Sequence, residues 1–97
     1  MDEPLTHEHF APHLHKNFRF EGASQVLRLD EIDVKDRPPL PHLPYKAFTL
    51  FFQGPRGDVL PEGLYIAEVE GGPRFEIYII PVHTVARDRQ DYQVVFN

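Results

Sequence analysis

Alternation at a period of two constrains this chain more than any other feature. Phe48, Leu50 and Phe52 lie two apart, as do Leu64 and Ile66, then Phe75, Ile77 and Ile79, then Tyr92, Val94 and Phe96. A pleated strand sends successive side chains to opposite faces, so each run gives one apolar face to a common core. The runs predict four strands, Lys46–Gln53, Gly63–Glu70, Arg74–Val82 and Asp91–Asn97. A fifth, Asn17–Glu21, turns Phe18 and Phe20 inward and Arg19 and Glu21 outward, and Gly22-Ala-Ser24 supplies the turn after it. The sixth begins with Leu27 and Leu29 on one parity and ends with Ile32 and Val34 on the other. Regular pleating cannot change faces, so an extra residue near Asp30–Glu31, a β-bulge, is expected.

The chain between these strands is punctuated by proline and glycine. Pro38, Pro39, Pro41 and Pro44 exclude a ladder strand over Lys35–Tyr45 and predict a stiff connection, with Leu40, Leu43 and Tyr45 packing onto the barrel. Gly54-Pro-Arg-Gly57 and Gly71-Gly-Pro73 read as turns, Thr84–Gln90 as a polar loop, and Pro81 must occupy a strand end or an edge. Near the N-terminus, Thr6 is placed to cap a short helix with its hydroxyl, and Pro12 limits that helix to about residues 7–11. Leu5, Phe10 and Leu14 would anchor it. The expected architecture is all-β: a small six-stranded antiparallel barrel or curled sandwich with a short N-terminal helix, in one domain spanning residues 1–97. The last strand runs to the end of the sequence, which predicts a paired backbone and a buried Phe96.

Composition narrows the chemistry. Ninety-seven residues include eight Phe and four Tyr, enough aromatic bulk for one core. There is no cysteine, which excludes a disulfide, a thiolate zinc site and a cysteine nucleophile. The formal charge is −5 and the basic residues are scattered, so the phosphate-neutralising stripe of a nucleic-acid-binding protein is missing. No apolar run approaches the length of a membrane-spanning helix, and Met1-Asp-Glu-Pro-Leu lacks the order of a secretory signal. A cytoplasmic location is the expectation, with neither nucleic acid nor membrane as partner and no cofactor.

Four patterns carry candidate function. His7, His9, His13 and His15 crowd one short segment. If residues 13–15 run extended, His13 and His15 share a side and form the candidate metal pair; the plainer reading is a solvated surface segment. Arg56-Gly57-Asp58 spells an integrin-recognition tripeptide, or simply a turn that uses its glycine. Lys35–Pro41 and Pro41–Lys46 match proline ligands of SH3 domains, against the reading of a packed crossover. Catalytic patterns are poor: Ser24 is the only serine and has no nucleophile elbow around it, and the acid pairs Asp30/Glu31 and Glu68/Glu70 read as solvent faces. No enzyme is expected. The stronger lead is apolar surface, because Phe51, Tyr78 and Ile80 stand on parities opposite the core-facing sets of their strands. With Tyr65 they define a candidate interaction surface for a protein partner or for a second copy of the chain.

Several blocks also carry a resemblance. Leu5-Thr6, Phe10-Ala-Pro12, Phe48-Thr-Leu-Phe-Phe-Gln-Gly-Pro55, Leu60-Pro-Glu-Gly-Leu-Tyr65, Ile79-Ile-Pro-Val82 and Tyr92-Gln-Val-Val-Phe-Asn97 resemble, in order and spacing, a family of small bacterial domains of unknown function. The likeness covers nearly the whole chain. It implies an all-β domain and a bacterial source, names no activity, and suggests an accessory place in a larger assembly such as a phage-tail-like apparatus. The family commonly has glycine where Lys16 stands, a departure that bears on the geometry of the first turn. The combined reading is a non-enzymatic interaction or assembly module, with a metal- or small-ligand-binding domain built on the histidines as the alternative.

Overall fold

A computed structural model describes residues 5–35, 47–85 and 87–96. The proline connection and its SH3-ligand matches therefore lie outside the described residues. Six strands form a closed antiparallel barrel: β1 (Asn17–Phe20), β2 (Val26–Val34), β3 (Phe48–Gly54), β4 (Gly63–Val69), β5 (Arg74–Val82) and β6 (Gln90–Phe96). Their order around the barrel is β1-β2-β3-β6-β5-β4, and β4 pairs back onto β1 through Phe18↔Val69 and Phe20↔Ala67. Closure leaves no continuous sheet edge, which is how a small all-β domain limits edge-to-edge association.

The interior follows the alternation. Phe18, Phe20, Leu27, Leu29, Phe48, Leu50, Phe52, Phe75, Ile77, Ile79, Tyr92 and Val94 are buried, and Phe96 is half-buried against them. Rings meet edge to face along the axis: Phe18 and Phe20 lie 5.1 and 6.0 Å from Phe52. The register between β2 and β3 shifts between Leu29 and Glu31, the expected bulge. Its extra residue is what lets Leu29 and Ile32 both face inward from one strand. Pro81 sits near the end of β5, past Ile79, the last residue paired to β4.

Strand β4 corrects the predicted facing. Leu64 and Ile66 point outward, at 61% and 38% exposure, whereas Tyr65, Ala67 and Val69 pack on the core. The chain places Glu68 and Glu70 on the same parity as Leu64 and Ile66. Turning that face inward would bury carboxylates without partners, which costs more than exposing two aliphatic side chains. Tyr65 therefore belongs to the interior, its ring edge-on to Phe20 at 5.9 Å.

The N-terminal segment forms one helical turn, α1 (His7–Phe10), followed by a 3-10 turn over Ala11–His13. Thr6 occupies the cap position, but the contact differs from the expected hydroxyl cap. Its backbone N–H donates to His9 Nδ1 at 2.9 Å, and its Oγ1 lies 3.1 Å from the same nitrogen. Phe10 is wholly buried, 4.5 Å from Phe75, 5.7 Å from Phe96 and 6.0 Å from Phe48, and closes one end of the barrel. Leu5 packs against the core as expected, whereas Leu14 is exposed and anchors nothing.

Candidate interaction surface

The outer face across β4, β5, β6 and β3 follows from register alone. Leu64 lies directly opposite Tyr78, and Ile66 opposite Glu76. Two residues along β5 from Tyr78, Ile80 pairs with Gln93, which in turn pairs with Phe51. Phe51 and Ile80 are half-buried and Tyr78 is 47% exposed. Val95, two residues beyond Gln93, is exposed on the same side of β6. Three of the four expected surface residues are thus brought together, and Tyr65 is replaced by Leu64. The missing signal was the company that Leu64 keeps on its parity, since Glu68 and Glu70 mark that side as outward.

A single polar bond fixes the centre of this face. The Tyr78 hydroxyl donates to Glu62 Oε2 at 2.7 Å. That bond to a carboxylate, with smaller contributions from burial and from the Glu62 charge, raises the Tyr78 pKa above the usual phenol range. A ring pinned by its hydroxyl offers its flat face at low entropic cost, a property that suits tyrosine to protein contacts.

The histidines do not assemble. His13 ends the 3-10 turn, Leu14 is extended, and His15 has left-handed backbone at φ 70°, so residues 13–15 turn where an extended run was expected. The family's glycine was matched to Lys16, yet the left-handed position is His15. His13 is half-buried with its ring 6.0 Å from Phe75, and its buried Nδ1 has no hydrogen-bond partner. Burial first, and the charge of Lys16 second, lower its pKa. His15 is exposed. Among the described residues no group of three His, Cys, Asp or Glu side chains is placed to hold a metal ion.

Arg56-Gly57-Asp58 forms the expected turn, with Gly57 at φ 88°. Both flanking side chains are engaged by the protein itself: Arg56 reaches the Arg89 carbonyl at 3.5 Å, and Asp58 Oδ1 accepts from Gln25 Nε2 at 3.1 Å. Shallow grooves mark the outer wall. One of about 300 Å³ includes Arg19, Glu68 and Arg74, where Arg74 pairs with Glu68 at 3.5 Å. Another of about 240 Å³ lies beside the bulge, between Glu31, Phe51, Arg89 and Asp91. No described helix is long and apolar enough to cross a membrane.

A closed six-stranded barrel plugged by an N-terminal aromatic residue, with an apolar outer face, defines a small all-β domain. The chain belongs to the family described as a domain of unknown function (DUF6916), whose model matches residues 5–96. No curated protein and no solved structure matches it.

Proposed function

We propose that the domain is a non-enzymatic interaction module that binds a protein partner through the outer face of β4, β5 and β3. The observation that carries this reading is the cross-strand set Leu64, Tyr78, Ile80 and Phe51, contiguous by register and standing outside a core that is already filled. Exposing large apolar side chains in one place lowers solubility without helping the fold, and such patches commonly mark interfaces. A scattered set would need no explanation. The domain would serve as an accessory or assembly component of a larger bacterial apparatus, working in the cytoplasm, and the family resemblance supports that setting.

The test compares three proteins in quantitative pull-down: the wild type, Leu64→Ser/Tyr78→Ser, and Val59→Ser, which alters an exposed apolar residue away from the face. The double variant is expected to lose the specifically captured proteins while keeping its thermal transition, and Val59→Ser to retain them. Equal capture by all three would refute the reading.

A further inference from the structure

The outer face also carries an uneven charge pattern that indicates what covers it. Three carboxylates surround the apolar residues. Glu62 is bonded to the Tyr78 hydroxyl, Glu76 lies opposite Ile66, and Glu31 lies opposite Phe51. None of the three makes an ion pair among the described residues. Nearby cations are already matched elsewhere: Arg74 with Glu68, Arg89 with Asp91, Lys35 with Asp33 and Arg28 with Asp30. The face is therefore apolar at its centre and negative at its rim, on a chain whose formal charge is −5.

We propose that the occupant of this face is a basic protein segment, one that sets aliphatic or aromatic side chains against Leu64, Tyr78 and Ile80 and places lysine or arginine beside Glu31, Glu62 and Glu76. This rests on the interaction reading above and adds the chemistry of the partner. A second copy of the chain fits poorly. Two-fold pairing of one face on itself would bring both sets of the three carboxylates to one interface, with no cation to separate them. A basic partner meets the same groups with opposite charge. The groove beside the bulge extends the match, because it sets the Phe51 ring next to Glu31, a setting in which a cation gains from both carboxylate and aromatic face. Rim charges of this kind act mainly by steering association, so binding should weaken as salt is raised.

The experiment uses the full chain and three synthetic peptides read by fluorescence anisotropy. The first alternates lysine with leucine and phenylalanine, the second replaces each lysine by glutamate, and the third replaces each leucine and phenylalanine by serine. The first is expected to bind at least roughly tenfold tighter than either of the others. Glu31→Gln/Glu62→Gln/Glu76→Gln should weaken it by roughly tenfold and flatten its salt dependence. Leu64→Ser/Tyr78→Ser should weaken it as much at every salt concentration. Equal binding of the basic and acidic peptides overturns the charge assignment. So does a dimer, seen by light scattering, that Leu64→Ser/Tyr78→Ser dissociates, although that result would leave the face standing as an interface. Binding that the glutamine variant loses and the serine variant keeps overturns the face itself.

Discussion

The two ends of the barrel are closed by different chemistry. At one end Phe10 enters from the N-terminal helix and meets Phe48, Phe75 and Phe96, with Phe48 stacked on Phe96 at 4.4 Å. Around it stand histidines: His7 edge-on to Phe48 at 6.2 Å, His9 holding the Thr6 backbone, and His13 against Phe75. At the other end the loop between β3 and β4 folds Leu60 inward, where its backbone N–H donates to the Tyr92 hydroxyl at 2.9 Å. Tyr65 continues that closure by donating to the Pro61 carbonyl at 2.7 Å. One end is thus held by contact between rings, and the other by hydrogen bonds from tyrosines that also serve as core. Ring contact is strong in sum and tolerant in direction, whereas the tyrosine bonds fix the loop in one position.

The largest expected effect comes from emptying the ring-closed end. Phe10→Ala removes a fully buried side chain from between three others and should cost about 3–5 kcal/mol, measured by urea denaturation. The chain could limit that loss by releasing the whole segment from residues 5 to 13, leaving the strands paired. A cost near 1 kcal/mol, with faster proteolysis of that segment only, would mean that the plug is an accessory and not part of the cooperative unit.

At the opposite end the matching change is Tyr92→Phe. The ring stays and the acceptor is lost, so the Leu60 N–H is left buried without a partner, at a cost of about 1–3 kcal/mol. Burial raises the pKa of the Tyr92 hydroxyl, and so does the charge of Asp58, whereas the Leu60 bond lowers it. The hydroxyl is therefore neutral at ordinary pH, and the penalty should be the same at mildly acidic and neutral pH. Hydrogen exchange at the Leu60 amide should rise in this variant and not in Phe10→Ala. If both variants loosen both ends alike, the ends are not separable and the comparison fails.

Much of this arrangement could be read from the residues. Strand alternation in β1, β3, β5 and β6 is unambiguous because each outward parity is interrupted by charged or amide side chains, such as Arg19, Gln53, Glu76 and Gln93. The bulge was legible for the same reason: Leu29 and Ile32 cannot share a face without it. β4 was not, because Leu64-Tyr-Ile-Ala67 is apolar at every position, and only the acids two and four residues past Ile66 identify the outward side. Tyr65 was misplaced with it. The plug was legible in part, since Pro12 fixed where the helix must stop. Nothing local, however, distinguishes Phe10 as a residue that enters the barrel from Leu14, which stays outside. His15 with its left-handed backbone could not be foreseen, because that conformation is set by the return of the chain, whose His15 N–H donates to the Leu29 carbonyl at 2.7 Å.

The smallest predicted effect separates the two ends most cleanly, because it depends on pH. His13 lies at the ring-closed end with Phe75, Val69 and Gly72 around it and the Lys16 charge nearby. Burial and that charge lower its pKa in the folded protein below the ordinary value of 6.5. The unfolded chain then takes up the proton first as pH falls through about 6.5, so acid favours unfolding. The loss grows until the folded form is protonated as well, at the lower pH set by its own pKa; above the ordinary value the contribution is fully present. His13→Gln, which cannot titrate, should make the urea midpoint fall less than the wild type does on going from about pH 7.5 to about pH 5. Added to Tyr92→Phe, His13→Gln should flatten the pH dependence by the same amount, because the two side chains belong to opposite closures with no shared partner. A pH profile unchanged by His13→Gln would place the acid sensitivity elsewhere, and would leave the Phe10 end distinguished from the Leu60 end by its rings alone.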